Sequence, residues 1–191
     1  MTNQVPYRIL IVCTGNICRS PMGERLFQAG FDSLAPGEFE VSSAGTAALQ
    51  GHDIEPRVAG FINVFGASSS GFCSRQLTED ILSDKDLVLT MTRAHRSQVL
   101  QLAPGMLRRT LTVRELARLL PAVEGDARAT AVERWRTALP KALRLRTART
   151  SDPAGDDVTD PFRREDAVYQ QMVRELVPAV RSILDWEAQY R

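Results

Sequence analysis

The sequence predicts an α/β layer fold built on a parallel sheet. Short apolar runs alternate along the chain with stretches of helical periodicity, and these runs lack the polar alternation of half-exposed strands. The chain has 191 residues, of which 43% are hydrophobic and 25% are charged. This length and composition favour one globular domain and argue against disordered, collagen-like and coiled-coil proteins.

The first unit is predicted to run from a strand through a polar loop into a helix. Residues 8–13 form the buried strand, and the helix follows in the sequence PMGERLFQAGF. Ser20 is the expected N-cap residue, Pro21 suits the first turn of a helix, and Gly30 is the expected helix end. Parallel sheets of this kind bind ligands beyond the carboxyl ends of their strands, so function is expected at the loop 13–19.

The remaining elements continue the alternation. Two further strands are predicted at 39–45 and 86–91, and residues 110–120 are predicted to form a short strand that enters a helix. Helices are also predicted at 55–65, 76–84, 93–102, about 128–147 and about 164–188. The last helix has an apolar face made of Val168, Met172, Leu176, Val180, Ile183 and Leu184.

One segment departs from this pattern, because residues 121–156 are rich in arginine and alanine and then turn acidic. From 104 to 150 the chain carries 11 basic and 4 acidic residues, although the net charge of the whole chain is only +1. The composition fits a helix that packs on the domain through Trp135, and it also fits a docking surface. We take residues 1–191 as a single domain with an insert at about 121–156.

Charge and hydropathy exclude several function classes. A net charge near zero gives no support for binding to nucleic acid or to acidic membranes. No apolar run reaches the roughly 18–20 residues of a membrane helix, and the first residues lack the pattern of a secretory signal. We therefore expect a cytoplasmic protein with no membrane insertion and no nucleic-acid partner.

The three cysteines, Cys13, Cys18 and Cys73, predict reduced thiols rather than a disulfide framework. The spacing of Cys13 and Cys18 is not that of a zinc site, and His52 and His95 are the only histidines of the chain. We expect no metal and no cofactor. The cysteines are then either buried apolar residues or reactive thiols.

The string CTGNICRSP, which begins at Cys13, carries the chemistry. A cysteine, five residues and an arginine close a tight loop at a helix start, where backbone N–H groups form an anion-binding nest. Arg19 offers a planar fork for two phosphate oxygens, and the positive field favours the Cys13 thiolate. Gly15 and Asn16 tolerate unusual backbone angles. Such a thiolate can attack a bound oxyanion at phosphorus, although a buried core cysteine fits the spacing alone.

Over the stretch VCTGNICRSPMGERLF, the sequence resembles the signature of the low-molecular-weight protein tyrosine phosphatase family. Further similarity lies in VSSAGT at 41–46, in SRQLTEDILSDKDLVLTMTRAHR at 74–96 and in DVTDPF at 157–162. The resemblance implies a small, doubly wound, flavodoxin-like sheet of four parallel strands with helices on both faces, and no metal. It implies hydrolysis of phosphotyrosine through a phosphocysteine intermediate. The implied partner is a tyrosine-phosphorylated protein, with a bacterial tyrosine kinase as a candidate.

The resemblance also implies roles for individual residues. Cys13 is expected to be the nucleophile, Arg19 to bind the phosphoryl group, and Asp160 to act first as general acid and then as general base. A turn carboxylate before Pro161 is the alternative for Asp160, and Asp152, Asp156 and Asp157 are then the other candidate acids. The phosphate-binding loop is expected to consist of Thr14, Gly15, Asn16, Ile17, Cys18 and Ser20.

Supporting contacts are implied around this loop. Ser20 is expected to donate a hydrogen bond to the Cys13 thiolate, while Asn16 and Ser43 brace the loop from behind. A plain strand-end serine is the alternative for Ser43. Cys18 is implied as the partner of Cys13 in a reversible disulfide that protects the thiolate from irreversible oxidation, with a small buried residue as the alternative.

Three positions depart from the family pattern. Phe72 stands where a histidine commonly braces the loop asparagine, Leu49 stands at a wall position that is often aromatic, and Phe162 follows the acid-loop proline where many members have tyrosine or tryptophan. Leu49 and Phe162 are the expected pocket walls, with Thr14 and Ile17 at the pocket mouth. Ile17 favours an aryl ring, since relatives that act on phosphoarginine tend to have threonine there.

Two other functions stay open from the sequence. An arsenate reductase on the same fold would use the loop thiolate on arsenic together with an external small thiol. The thioredoxin-coupled type needs two more cysteines, and only Cys73 lies outside the loop. A non-enzymatic module would use the loop to bind phosphorylated partners, although the set of Cys13, Arg19 and Asp160 is complete.

Overall fold

A four-stranded parallel sheet forms the centre of the computed structural model, which describes residues 5–146 and 153–191. Its strands are β1 (Tyr7–Cys13), β2 (Phe39–Gly45), β3 (Leu87–Thr90) and β4 (Thr110–Thr112), in the spatial order β2-β1-β3-β4. In the parallel register, Ile11 stands opposite Ser43 on one side and Leu89 on the other. The predicted α/β class with its parallel sheet is confirmed.

Helices cover both faces of this sheet. In chain order they are α1 (Arg19–Leu34), α2 (Pro56–Val64), α3 (Glu79–Ser83), α4 (Arg93–Leu102), α5 (Val113–Leu119), α6 (Ala131–Leu145) and α7 (Asp166–Ala188). Short 3₁₀ turns lie at Pro104–Arg109, Leu120–Ala122 and Pro153–Asp156. Successive strand residues point to opposite faces, so Ile9 and Ile11 pack with α1, α5 and α7, while Leu10 and Val12 pack with α3 and α4.

The strand order places a topological switch point at the carboxyl end of β1. The chain leaves β1 toward β2 on one side and later returns to β3 on the other side. The connections therefore diverge around the loop that follows Cys13, which opens a crevice there.

The first helix differs from its prediction at both ends. Ser20 lies inside α1 and is not the N-cap residue, a position that Cys18 occupies without a side-chain cap. The helix also continues past Gly30 by one more turn. A Cβ atom at Gly30 would lie 2.4 Å from Leu184 Cδ1, so this glycine lets α7 pack closely against α1 and does not end the helix.

The apolar face predicted for the last helix is largely buried. Val168 and Leu184 are only half-buried. The buried residues of the predicted face are Met172, Leu176, Val180 and Ile183, and Tyr169 and Trp186 are buried beside them. The helical period of the sequence therefore predicts the buried face of α7, and Tyr169 and Trp186 make that face wider.

The arginine-rich insert packs on the domain through α6. Trp135 is 1% exposed, and its ring lies 5.6–5.7 Å from the rings of Tyr7, Phe31 and Trp186. Its indole N–H donates to Glu187, which also forms a buried ion pair with Arg134 at 2.7 Å. The predicted packing of the insert through Trp135 is confirmed for the described residues. Residues 147–152, with Asp152 and the predicted end of the helix, lie outside them, as do residues 1–4.

Candidate active site

A cavity of about 140 Å³ opens where the chain passes from β1 into α1. It lies at the carboxyl edge of the sheet, where the sequence predicts the functional loop. The cavity is lined by Cys13, Thr14, Gly15, Ile17, Cys18, Arg19, Ala47, Leu49, Asp160 and Phe162. The fold thus brings residues 157–162, the acid loop, next to the loop 13–19, although the two are far apart in the sequence.

The loop between β1 and α1 is held from outside through its carbonyl groups. The carbonyl oxygens of Cys13, Thr14, Gly15 and Ile17 accept hydrogen bonds at 2.9–3.0 Å from backbone N–H groups of the segment 46–55. These peptide groups are trans, so the N–H of each following residue points the opposite way, toward the cavity. Together with the uncapped start of α1, these N–H groups form a nest for an oxyanion.

Two residues allow the chain to pack this closely. Asn16 adopts a φ of 54°, in the left-handed region that asparagine tolerates better than most residues. At Gly45, the last residue of β2, a Cβ atom would lie 2.4 Å from the carbonyl oxygen of Thr14. Gly45 is therefore required for the loop to rest on β2. Gly15 does not adopt a left-handed conformation, so the unusual angle expected in this loop falls on Asn16.

The side chain of Asn16 is fully buried and fixes the loop from behind. Its amide nitrogen donates to Ser20 Oγ at 2.9 Å and to Ser43 Oγ at 2.8 Å. Its amide oxygen accepts from the backbone N–H of Arg75 at 2.9 Å. Phe72 cannot make the hydrogen bond that a histidine commonly makes to the loop asparagine, and it packs into the core. The backbone N–H of Arg75, three residues later, donates to Asn16 in its place.

Glu24 continues this bracing network and was not expected from the sequence. Ser43 Oγ donates to Glu24 Oε2 at 2.5 Å and therefore uses a lone pair to accept from Asn16. Burial raises the pKa of the Glu24 carboxyl, and the hydrogen bond from Ser43 opposes that rise. Arg75 also contributes, because its Nε donates to the carbonyl of Ser43 at 2.8 Å. Glu24 lies one helical turn beyond Ser20, which is the only sequence signal that could have indicated it.

The sulfur of Cys13 lies at the inner end of the cavity. It is 2.9 Å from the hydroxyl oxygen of Ser20. A thiolate can only accept, so in that state the Ser20 hydroxyl donates to the sulfur, while its oxygen accepts from Asn16. Ser20 is therefore not the helix cap that its place before Pro21 predicts. Its hydroxyl lies beside the sulfur, which is the position expected from the family resemblance.

Arg19 and Asp160 form an ion pair in the lining of the cavity. The guanidinium of Arg19 is almost fully buried and donates to the carbonyl of Val158 at 3.2 Å. Its second terminal nitrogen, Nη2, lies 2.6 Å from Asp160 Oδ2. The side chain of Asp160 is 50% exposed, so its carboxylate can reach both solvent and a group held by Arg19.

The acid loop is anchored on the sheet and on α4. The N–H of Val158 donates to the carbonyl of Met91 at 2.8 Å, just beyond β3. Asp157 accepts from the N–H of Arg93, and Asp156 pairs with Arg118. Neither of these two alternative acids lines the cavity. Asp160 is therefore the carboxylate that the loop presents to the site.

The outer wall of the cavity is apolar. Leu49 and Phe162 stand at its rim with 38% and 37% of their surface exposed, and Ile17 lies deeper. Ala47 also lines this wall and was not named from the sequence. A cavity with a cationic floor and an apolar rim suits an anion carried on a flat apolar group.

Cys18 lies in the same loop and is buried with its thiol reduced. Burial raises the pKa of the Cys18 thiol to about 12, and the neighbouring Cys13 adds to this rise. Cys18 is therefore a neutral thiol at physiological pH. Cys73 is exposed and does not line the cavity.

His95 is buried beside the loop, and the sequence did not indicate a role for it there. Its Nε2 lies 2.8 Å from Thr14 Oγ1, and its Nδ1 lies 2.9 Å from Thr92 Oγ1. Burial lowers the pKa of the imidazole to about 4; Arg19 also lowers it, and Asp160 opposes the shift. The ring is therefore neutral at physiological pH. Its position three residues after an N-cap threonine was the available signal.

Neither a metal-binding cluster nor a membrane-spanning helix occurs in the part of the chain that the structure describes. Within residues 5–146 and 153–191, no three histidine, cysteine or carboxylate side chains cluster in a way that could hold a metal ion. Across the same residues, no helix combines the length and the apolar character needed to cross a bilayer.

Comparison with known sequences gives one family. A model of the low molecular weight phosphotyrosine protein phosphatases matches residues 8–131, a span that includes Cys13 and Arg19 and ends before Asp160. The protein-tyrosine-phosphatase Wzb of Escherichia coli (strain K12) is 39% identical over 98 residues, which are 51% of this chain and 63% of Wzb. The match thus spans less than two thirds of the length of that relative.

Solved structures resemble the chain over nearly its whole length. The low molecular weight protein tyrosine phosphatase of T. tengcongensis gives a TM-score of 0.68 at 25% identity, covering 93% of this chain and 97% of that one. The YwlE arginine phosphatase from Geobacillus stearothermophilus gives a TM-score of 0.67 at 25% identity, covering 94% and 92%. The structural likeness therefore covers a larger share of the chain than the sequence match does.

Proposed function

Because the chain belongs to the low molecular weight phosphotyrosine protein phosphatase family, we propose that it hydrolyses phosphotyrosine in proteins through a phosphocysteine intermediate on Cys13. One observation carries the proposal. The sulfur of Cys13, the guanidinium of Arg19 and the carboxylate of Asp160 line one cavity, with Arg19 and Asp160 2.6 Å apart. Nucleophile, oxyanion ligand and acid are then within reach of one phosphoryl group.

In the first step, the Cys13 thiolate attacks phosphorus and forms the S–P bond. The bond between phosphorus and the tyrosine oxygen breaks, and the electron pair leaves with that oxygen. Asp160, in its protonated form, gives its proton to the leaving oxygen. The loop N–H groups and the Arg19 fork hold the three phosphoryl oxygens as charge develops on them.

In the second step, Asp160 is a carboxylate and takes a proton from a water molecule. The water oxygen attacks phosphorus, and the S–P bond breaks with its electron pair returning to sulfur. Ser20, 2.9 Å from Cys13 Sγ, donates to the thiolate as it leaves. Phosphate is released, and Asp160 is again protonated for the next substrate.

The pocket wall supports an aryl phosphate as the substrate. Ile17, Leu49 and Phe162 give the cavity an apolar rim that suits an aryl ring. The similarity to the YwlE arginine phosphatase makes phosphoarginine the competing substrate. By the family resemblance, relatives that act on phosphoarginine tend to have threonine at the position of Ile17. The isoleucine therefore favours phosphotyrosine as the substrate.

We also propose a partner, a location and a domain organisation for the protein. The partner is a tyrosine-phosphorylated protein in the cytoplasm, with a bacterial tyrosine kinase as the candidate. The net charge of +1 supports no nucleic-acid partner. Residues 1–191 act as a single phosphatase domain with the insert at about 121–156, because Trp135 belongs to the same apolar core as β1 and α7.

A substrate panel tests the proposal. Peptides with phosphotyrosine, phosphoserine and phosphoarginine are offered to the wild type, to Cys13→Ser and to Cys73→Ser, with arsenate plus small thiols alongside. We expect turnover of phosphotyrosine by the wild type and by Cys73→Ser, with phosphate trapped on Cys13 after acid quench, and none by Cys13→Ser. Reduction of arsenate without peptide hydrolysis would establish the reductase alternative. Tight peptide binding without turnover would establish the binding module.

A further inference from the structure

Thr14, His95 and Thr92 form a line of hydrogen bonds that ends at the cavity. Thr92 Oγ1 lies 2.9 Å from His95 Nδ1, and His95 Nε2 lies 2.8 Å from Thr14 Oγ1. His95 is 5% exposed, while Thr14 is exposed and lines the cavity. Thr92 is the N-cap residue of α4, and its Oγ1 accepts from the backbone N–H of His95 at 3.1 Å. The line therefore connects a fixed helix start to the phosphate-binding loop.

A neutral imidazole has one donor nitrogen and one acceptor nitrogen, so two arrangements of hydrogens are possible. With the proton on Nδ1, the ring donates to Thr92 and accepts from Thr14. The Thr14 hydroxyl hydrogen is then used on the ring, and only oxygen lone pairs face the cavity. Lone pairs repel the oxyanion that the surrounding N–H groups and Arg19 are arranged to bind.

With the proton on Nε2, every hydrogen in the line has an acceptor. Thr92 donates to Nδ1 and still accepts from the backbone N–H of His95. Nε2–H donates to Thr14 Oγ1, which leaves the Thr14 hydroxyl hydrogen for a ligand in the cavity. Bound phosphoryl oxygens favour this second arrangement, because a hydrogen bond to a charged acceptor is stronger than one between neutral groups.

We propose that His95 is a positioning residue that, as the Nε2–H tautomer, turns the hydroxyl hydrogen of Thr14 toward an oxygen of the bound phosphoryl group. The inference rests on the proposed function, since it assigns a further contact to the same site. His95 touches no substrate in this arrangement and acts only through Thr14. The Thr14 hydroxyl adds a side-chain donor to the backbone nest.

The surroundings of His95 keep the ring in the neutral form that this role needs. Burial and the charge of Arg19 lower the pKa of the imidazole to about 4, against the opposing charge of Asp160. At neutral pH the ring therefore carries one proton, and its tautomer is set by its two threonine neighbours. The same burial keeps water from competing for Nδ1 and Nε2.

Nitrogen NMR of the wild type with saturating inorganic phosphate reads the tautomer directly. The chain has 2 histidines, and the exposed His52 is an internal reference for free exchange between tautomers. We expect His95 to show a protonated Nε2 and an unprotonated Nδ1 at neutral pH. A protonated Nδ1 with phosphate bound would overturn the proposal. This readout is independent of turnover, so it still decides the question if phosphotyrosine is not the substrate.

A double-variant cycle tests whether His95 acts through Thr14. His95→Asn places an amide near the Nδ1 position and leaves Thr14 without its donor, whereas His95→Gln can place an amide N–H near the Nε2 position. We expect His95→Asn and Thr14→Val each to lower kcat for an aryl phosphate by roughly tenfold to a hundredfold. His95→Gln should recover much of the loss.

In the Thr14→Val background, His95→Asn should cause no further loss, because the hydroxyl it positions is already gone. Additive losses in kcat would mean that His95 only supports the fold, and they would overturn the proposal. If His95→Asn does not fold, the tautomer measured in the wild type remains the deciding result.

Discussion

The carboxylate of Asp160 contacts both Arg19 and its own loop. Its Oδ2 lies 2.6 Å from Arg19 Nη2, while its Oδ1 accepts a hydrogen bond from the backbone N–H of Phe162 at 3.2 Å. Oδ1 thus takes part in the turn that the sequence offered as the alternative role, and Oδ2 faces the cavity. The turn holds the carboxyl group in place, and proton transfer requires a carboxyl group held in place.

Asp160→Asn should slow phosphoryl transfer more for a phosphotyrosine peptide than for a nitrophenyl phosphate. General acid catalysis contributes about 10²–10⁴ in rate. A tyrosine phenolate, whose conjugate acid has a pKa of about 10, needs the proton, whereas nitrophenolate needs it less. Single-turnover rates on both substrates isolate this step. Equal losses would leave Asp160 as a turn residue only.

Ser20→Ala should slow the second step more than the first. The hydroxyl donates to the sulfur at 2.9 Å, and a hydrogen bond to a charged group contributes about 1.5–3 kcal/mol, or roughly tenfold to a hundredfold in rate. We expect phosphocysteine to accumulate, visible as a larger initial burst with nitrophenyl phosphate. Ser42→Ala is the matched control, because its hydroxyl donates to the carbonyl of Ile9 at 3.5 Å and Ser42 does not line the cavity. A similar burst in both variants would contradict this role.

If the proposed activity holds, hydrogen peroxide should abolish it reversibly through Cys13 and Cys18. Peroxide oxidises the Cys13 thiolate to a sulfenic acid, and the Cys18 thiol then forms the disulfide with loss of water. Because burial raises the pKa of Cys18 to about 12, closure of the disulfide should become faster as pH rises above neutral. Peptide mapping and rates of closure between pH 7 and 9 check this.

Cys18→Ser should make the same inactivation harder to reverse with a thiol, since the sulfenic acid is then open to further oxidation. The exposed Cys73 provides the control, and Cys73→Ser should behave as the wild type. A bridge that contains Cys73 would show the pairing to be wrong.

Protonation of His95 should lower the free energy of unfolding as pH falls from about 6.5 to about 4. The folded protein holds the pKa of His95 near 4, mainly through burial, so in this window the unfolded chain binds more protons than the folded one. Over that range we expect a loss of about 3 kcal/mol in the free energy of unfolding. Urea unfolding at several pH values, compared with His95→Gln, isolates this contribution. A difference between the two proteins that does not change below pH 6.5 would contradict it.

Much of the fold follows from local patterns in the sequence. β2 has the predicted bounds, and α4 begins and ends as predicted, because each is bordered by turn or cap residues that the sequence shows. Ser20 was misplaced because a serine before a proline fits a helix cap equally well, and only the nearby sulfur and Asn16 decide otherwise. Gly30 was misread because its contact with Leu184 is tertiary.

The cavity was located from the loop motif, whereas its supporting residues were not. Glu24, Arg75 and His95 act through contacts that exist only after the sheet has formed, and one of these contacts uses a backbone N–H that no side-chain pattern can indicate. The role of Asp160 in the site depended on the family resemblance, since spacing alone did not connect it with Cys13.

The contact between Trp135 and Trp186 gives the protein a built-in optical reporter. These are the 2 tryptophans of the chain, and their rings meet edge to face at 5.7 Å in the buried joint between α6 and α7. Intrinsic fluorescence therefore observes whether the insert is docked on the C-terminal helix. Loss of this contact would change the environment of both indole rings, so the docking of the insert can be followed without a label.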